Sequence, residues 1–230
     1  MATVFPSLLS DTDYYPGSAS FSPDGEYIAY TGTHYVDQGS IKDRAALYLV
    51  KADGTSPQPV LRAYSTDGNN ANGYYHLNWA PDAKSLLFLS VYSGWFQLIK
   101  IKISDSGIHA TSAFNLGSWG SSPADVARLA LNVAFKPEYS PNGEYIAFYS
   151  SKHNPGDQEL YVGVAESNPN KYNYGDIGAT QITNFSGSGY NPVLQWSSDS
   201  DRILLRHPSA TLLNFMVVDR ITGDELHLIS

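Results

Sequence analysis

The 230-residue chain is long enough to bury a substantial core, and its 42% hydrophobic residues are too many for a disordered polymer. A formal net charge of −8, with no cluster of Lys and Arg, disfavours nucleic acid as a partner, because neutralising phosphates needs concentrated positive charge. The absence of Cys excludes disulfides, thiolate nucleophiles and Cys-containing zinc sites, and leaves the redox compartment open.

Aromatic residues at 13%, with 17 Tyr, 19 Gly, 13 Pro and only 16% charged residues, suit short strands and many turns better than long helices. Met1 to Ser10 have neither a basic start nor a long apolar stretch, so no signal peptide is expected there. No run approaches the roughly 18 apolar residues of a membrane-spanning helix, so no membrane insertion is expected. Pro6 to Asp11 read like the tail of an outer strand, comparable with Leu226 to Ser230.

The first recognisable element is Phe21-Ser22-Pro23-Asp24-Gly25-Glu26-Tyr27-Ile28-Ala29-Tyr30. It is echoed by Trp79-Ala80-Pro81-Asp82-Ala83 through Phe88, closely by Tyr139-Ser140-Pro141-Asn142-Gly143 through Phe148, and loosely by Trp196-Ser197-Ser198-Asp199-Ser200 through Leu205. The leading aromatics are 58, 60 and 57 residues apart. In each copy an aromatic ends one strand, Pro presets φ where present, Asp or Asn follows, and Gly accepts a left-handed conformation before the next strand. The apolar runs that follow, such as Tyr27 to Tyr30 and Ser85 to Leu89, lack the clean alternation of a strand with one wet face, so they are expected to be covered on both sides.

A third strand is predicted downstream of each hairpin, at Ala46 to Val50, Phe96 to Ile101, Leu160 to Val164 and Asn214 to Val218. A fourth follows near Pro57 to Leu61, Thr111 to Phe114, Thr180 to Thr183 and Glu225 to Ile229. Four antiparallel strands per unit cannot bury both faces alone and must stack on their neighbours. The predicted fold is therefore an all-β propeller of four-stranded antiparallel blades, four per chain, forming one domain over 1–230 with blades at about 15–61, 75–114, 133–183 and 192–230. A two-sheet sandwich is the alternative.

The aromatic-Ser-Pro-Asp-Gly turn, the Ile-Ala-Tyr or Ile-Ala-Phe strand, the later Leu-Tyr-Val strand and the Asp-Gly turn together resemble the repeat of TolB-type propellers. They are similar also to the propeller domains of prolyl oligopeptidase-like and tricorn-like peptidases. The resemblance runs from about Ser7 to Ser230; the second copy lacks the turn Gly and the fourth lacks both Pro and Gly. It implies a protein-binding scaffold, and a periplasmic or extracellular location is suggested by the resemblance only. Three closures stay open: a four-bladed ring, two chains forming an eight-bladed ring as a homodimer, or a segment of a longer propeller.

In a propeller the first-to-second and third-to-fourth connections share one face and the remaining connections the other. The first set is mostly short. The second is long and aromatic-rich, and function tends to reside on such loops above a rigid scaffold. The candidate binding residues on it are His34, Tyr35, Asp37, Tyr64, Trp119, His153, Asn154, Tyr190 and His207, which could offer stacking surfaces and hydrogen bonds to a protein or glycan. Ala165 to Ala179, with Tyr172 and Tyr174, is long but on the opposite face. Ser122 to Ala130 fits a short capped helix.

No Gly-x-Ser-x-Gly elbow, phosphate loop, dinucleotide fingerprint or His-Glu-x-x-His occurs. Asp11 with Asp13, and Asp199 with Asp201, are the paired carboxylates to weigh for glycoside hydrolysis. The second pair sits in the repeat's turn, where Asp is structural. A ring could also gather His34, His153 and His207 for a metal, as in some propeller lyases acting on acidic sugars. The expectation is a noncatalytic binding or scaffold module without cofactor, metal or catalytic residues. A carbohydrate-active lyase or hydrolase at the channel mouth, and a structural half-ring that assembles into a larger propeller, are the alternatives.

Overall fold

The computed structural model describes residues 14–34, 42–55, 58–65, 73–92, 95–103, 110–117, 135–150, 159–165, 179–185, 194–206 and 215–228. They form sixteen strands in four antiparallel four-stranded sheets, and no helix occurs among the described residues. The first sheet takes β1 (Tyr14–Phe21), β2 (Tyr27–His34), β3 (Lys42–Lys51) and β4 (Gln58–Ser65) in chain order. The second takes β5 (Gly73–Trp79), β6 (Ser85–Tyr92), β7 (Trp95–Ile103) and β8 (Ala110–Gly117). The third contains β9 (Phe135–Tyr139), β10 (Tyr145–Ser150), β11 (Glu159–Val164) and β12 (Thr180–Gln181). The fourth contains β13 (Leu194–Trp196), β14 (Arg202–Arg206), β15 (Phe215–Asp219) and β16 (Glu225–His227). The chain divides into two compact units, Met1–Phe114 and Asn115–Ser230.

The predicted repeat turn is the same side-chain device in three of the four sheets. Ser22 Oγ accepts the Tyr27 N–H at 2.9 Å and donates to Asp24 Oδ1, while Asp24 Oδ1 accepts the Glu26 N–H at 3.0 Å. Ser140 with Asn142 reproduces this set around Tyr145 and Glu144, and Ser197 with Asp199 reproduces it around Arg202 and Asp201. The serine thus closes a backbone amide that the short turn leaves unpaired, and the carboxylate or amide holds the serine. In the second sheet Ala80 replaces the serine, and only the Asp82 bond to the Lys84 N–H, at 2.8 Å, remains of the pattern.

The last turn position is left-handed throughout, with φ of 74° at Gly25, 59° at Ala83, 75° at Gly143 and 65° at Ser200. Left-handed backbone costs a residue with a Cβ about 1–2 kcal/mol, and glycine's greater unfolded-state freedom offsets part of that. Ala83→Gly is therefore expected to stabilise the protein by about 1 kcal/mol, read as a rise of about 2–4 °C in melting temperature. Ser200 is different, because its hydroxyl accepts the Asn142 N–H at 3.1 Å and so offsets the strain.

A second recurrent feature lies in the first strands. His76 and Lys136, each three residues before the leading aromatic, have φ of 56° and 49°, and the pairing of β5 with β6 and of β9 with β10 shifts at these points. These are bulges, which bend the strand and sharpen its twist.

In each unit one sheet packs face to face on the next. In the first unit Ala29, Leu47 and Leu49 of one sheet meet Trp79, Leu86, Phe88 and Ile101 of the other. In the second unit Ala147, Tyr149, Leu160 and Val162 meet Leu194, Trp196, Ile203, Leu205, Met216 and Val218. The tryptophan adds a polar tie at the same place in both. Trp79 Nε1–H donates to the Ser20 carbonyl at 3.2 Å, and Trp196 Nε1–H donates to the Glu138 carbonyl at 3.3 Å. Each indole therefore spans to the residue just before the leading aromatic of the preceding sheet. An indole has only a donor to give, and a backbone carbonyl, with two lone pairs, can accept it.

Candidate functional site

With sheets built in chain order, every strand reverses direction. The 22–26 and 52–57 connections leave one end of the first sheet, while 35–41 and 66–72 leave the other. The same division in the other sheets puts the described turns 80–84, 140–144, 197–201 and 220–224 at the tight-turn end, while β6, β10 and β14 finish, and β7, β11 and β15 begin, at the opposite end.

Of the nine candidate binding residues, His34 and Tyr64 lie on described strands. The register brings them together: Tyr14 pairs with His34, His34 with Arg44, and Arg44 with Tyr64, so four residues form one row across the first sheet at its long-connection end. Arg44 was not singled out by the sequence, because its place beside two distant residues depends on strand register. Tyr35, Asp37, Trp119, His153, Asn154, Tyr190 and His207 lie outside the described residues, as do the Ser122 to Ala130 segment and Asp11 with Asp13.

The tight-turn end is occupied by its own bonding. Asp53 accepts from the Thr55 N–H at 2.8 Å and from the Thr55 hydroxyl at 2.6 Å. Asp219 accepts from the Ile221 and Thr222 N–H groups at 2.8 and 2.9 Å. The Ser22 hydroxyl holds Asp24, Thr55 holds Asp53 and Ser197 holds Asp199 below the ordinary carboxylate range, as the amides at Thr222 and Ile221 do for Asp219. Asp199 and Asp201 are both engaged at the turn: the first caps it, and the second meets Arg220 Nη2 at 3.2 Å. Arg220 also donates from Nε to the Ser200 carbonyl at 3.0 Å, and its guanidinium lies 4.0 Å from the centre of the Tyr145 ring. An open groove of about 350 Å³ lined by Glu26, Tyr27, Lys51, Ala52 and Asp53 lies at this end of the first sheet.

Two polar clusters in the second unit escaped the sequence reading. Glu159, at the start of β11, is buried; its Oε2 accepts the Thr183 hydroxyl at 2.7 Å and its Oε1 accepts the Phe185 N–H at 2.8 Å. It pins residues 182–185 at the root of the 186–193 connection. Burial, followed by the charge of Glu159, pushes the Tyr161 phenol up to about 12. In sequence a Glu opening an apolar strand carries no sign that its carboxylate is used inward.

The second cluster lies between β9 and β13. Lys136 Nζ donates to the Leu194 carbonyl at 3.3 Å and is 3.4 Å from Glu138 Oε1. Burial raises the Glu138 carboxyl above its ordinary range, and the Lys136 ammonium pulls it partly back. The neighbouring Tyr149 phenol is raised as well, first by burial and then by Glu138. A carboxyl whose folded pKa lies above its unfolded value binds its proton more tightly in the native state, so it lowers stability as pH rises from the unfolded value through the folded one. Glu138→Gln is therefore expected to match the parent near pH 4 and to melt higher than it at pH 7, measured by thermal unfolding across that range.

Among the described residues no group of three His, Cys, Asp or Glu is placed to hold a metal, and no helix is long and apolar enough to cross a membrane.

No protein-family model matches the sequence, and no curated protein matches it. Solved structures do. TolB from Acinetobacter baumannii superposes with a TM-score of 0.52 at 20% identity, over 93% of this chain and 43% of its own. Puromycin hydrolase gives 0.65 at 13% identity, over 94% of this chain and 31% of its own. The β-propeller domain of the Trilobed protease from Pyrococcus furiosus gives 0.57 at 9% identity, over 95% and 58%. The fold is a β-propeller. Its four sheets are blades, with likeness to TolB and to peptidase propellers as the repeat implied, and the chain spans less than two thirds of each of these structures.

Proposed function

We propose that the chain is a noncatalytic binding module that engages a protein or glycan at the long-connection ends of its blades. The observation that carries this reading is the unequal use of the two ends. At the tight-turn end, the carboxylates of Asp24, Asp53, Asp199 and Asp219 are each committed to hydroxyls or backbone amides of their own turns. On the first blade the register puts His34, Arg44 and Tyr64 in one row at the end away from these turns, and the sequence reading adds Tyr35, Asp37, Trp119, His153, Asn154, Tyr190 and His207, which lie outside the described residues. Tyr, Trp and Arg are the residues that dominate binding energy where a partner excludes water, and Asn and His add adaptable hydrogen bonds. The likeness to TolB supports protein binding in general terms, without a particular partner.

The experiment is a glycan array together with a displayed extended-peptide library, followed by assay of every selected ligand for turnover. Ligands that bind without being converted, and that lose at least tenfold in affinity with His34→Ala, Arg44→Ala or Tyr64→Ala, are the expected result. Release of reducing or unsaturated sugar ends, or affinity unmoved by all three substitutions, would overturn it.

A further inference from the structure

Each unit builds the same corner, at the tight-turn end of the contact between its two blades. Tyr27 and Tyr145 open the second strand of the earlier blade, and each packs against the core of its own unit. Their N–H groups donate to Ser22 and Ser140 Oγ at 2.9 and 3.0 Å. The residues before them, Glu26 and Glu144, accept through their carbonyls the N–H groups of Ala52 and Ala165, both at 2.8 Å. On the later blade the Ile103 N–H donates to the Lys84 carbonyl and the Arg220 N–H to the Asp201 carbonyl, both at 2.9 Å, so Ile103 and Arg220 hold equivalent positions.

In the second unit the corner is filled. The Arg220 guanidinium lies 4.0 Å from the centre of the Tyr145 ring, its Nη2 is 3.2 Å from Asp201 Oδ1, and its side chain is only 15% exposed. In the first unit Ile103 stands in its place, and a hydrocarbon brings no cation to Tyr27. What remains there is the open groove of about 350 Å³ lined by Tyr27 with Glu26, Lys51, Ala52 and Asp53. Tyr27 and Lys51 alternate in step with Ala29 and Leu49, so the groove lies on the face that the first blade turns to the second. Its charges are also less committed than in the filled corner. Asn142 Nδ2 donates to Glu144 Oε2 at 3.1 Å, whereas the equivalent Asp24 has no N–H to give, and the Glu26 carboxylate has no hydrogen-bond or ion-pair partner among the described residues. Asp53 takes both Thr55 bonds on Oδ1, which leaves Oδ2. Two carboxylates against the one ammonium of Lys51 make the lining negative.

We propose that this groove is a binding site for an arginine side chain presented by a polypeptide partner, its guanidinium stacking on Tyr27 and pairing with Glu26 as Arg220 stacks on Tyr145 and pairs with Asp201. The protein's own filled corner is the template, and it specifies the chemistry. A guanidinium is planar and weakly hydrated and carries its donors in a fixed fork, so it can lie on an aromatic ring and meet a carboxylate at once; a compact, strongly hydrated ammonium does this less well. Arg220 fills its corner with side-chain groups alone, so the occupant needs no free α-amino or α-carboxylate group, which fits an arginine within a chain. Tyr27 and His34 are the two ends of β2, so this site is separate from the proposed surface at His34, Arg44 and Tyr64.

The test is an NMR titration of the full, isotope-labelled chain with N-acetyl-arginine N-methylamide. Millimolar binding that shifts the Tyr27 and Ala52 amide resonances is expected, with the neutral citrulline analogue about tenfold weaker for want of the charge. Glu26→Gln, at an exposed position, and Tyr27→Leu, which keeps an apolar side chain, are each expected to weaken binding about threefold to fivefold. Ile103→Arg is expected to abolish binding and to raise the melting temperature, because its own guanidinium then occupies the groove. Equal binding of the citrulline analogue, or affinity unmoved by both Glu26→Gln and Tyr27→Leu, would overturn the proposal. So would full binding by an Ile103→Arg variant that keeps the parent's circular dichroism spectrum, or the absence of shifts at Tyr27 and Ala52 up to about 50 mM, well above the expected range. Free arginine binding about tenfold more tightly than the blocked residue would overturn the polypeptide source, since the amino acid itself would then be the ligand.

Discussion

Trp196→Ala is expected to destabilise the second unit by about 3–5 kcal/mol, the range for truncating a buried aromatic. Two losses add. The indole packs among Ile203, Leu205, Met216 and Val218, so its removal leaves a cavity between the third and fourth blades. It also gives up the donor that reaches the Glu138 carbonyl, at 3.3 Å. Trp196→Phe separates the two, since it keeps most of the packing and loses the donor, and is expected to cost about 1 kcal/mol through the unmade bond. Denaturant unfolding of the parent and both variants measures the partition. A Trp196→Phe variant as damaging as Trp196→Ala would show that the hydrogen bond, rather than packing, carries the blade contact.

Gly223→Ala is expected to cost about 2 kcal/mol or more, well above the roughly 1 kcal/mol expected of Gly25→Ala. Both glycines are left-handed, at φ of 73° and 74°. They differ in their surroundings. A Cβ at Gly25 would meet nothing within 4 Å, whereas one at Gly223 would come to 2.9 Å from the Ile182 carbonyl oxygen, which is backbone and cannot swing away. Gly223 sits in the Asp219 to Asp224 turn between β15 and β16, where its own N–H donates to the Asp219 carbonyl at 3.0 Å, so the turn has little freedom to retreat. Thermal melts of the two variants side by side distinguish strain alone from strain with a steric clash, and equal losses would contradict this account. For a chain of this length, 2 kcal/mol corresponds to a fall of about 4–8 °C.

Much of the architecture was legible because the repeat writes its turn chemistry into adjacent residues. Ser22, Asp24 and Gly25 bond and bend within a few positions of one another, so their meaning survives without knowledge of the fold. The same holds for Asp53-Gly54-Thr55 and for the apolar runs that become second and third strands. Even the degenerate fourth copy, without Pro or Gly, makes the full serine–aspartate turn, because Ser197 and Asp199 kept the two bonding groups. The predicted third and fourth strands fall on β3, β7, β11 and β15 and on β4, β8, β12 and β16, with ends that differ by a few residues where the pairing ladder, rather than residue type, stops the strand.

The candidate site was legible only in part. His34 and Tyr64 were chosen for residue type on long connections, yet Arg44 between them is found only by counting register through two hairpins. Glu159 and the Lys136–Glu138 pair were not singled out, because folding rather than residue type gives Glu159 its buried partners and sets the pair between β9 and β13.

The sequence by itself determined the turns and the strand order within each blade, because these depend on neighbours within a hairpin and on strand alternation. Only the tertiary structure decided which residues meet between the paired blades of each unit and where each tryptophan finds its carbonyl. Those outcomes depend on contacts between segments about 60 residues apart, and packing at that separation is set by which faces meet and in what register, which no local pattern encodes.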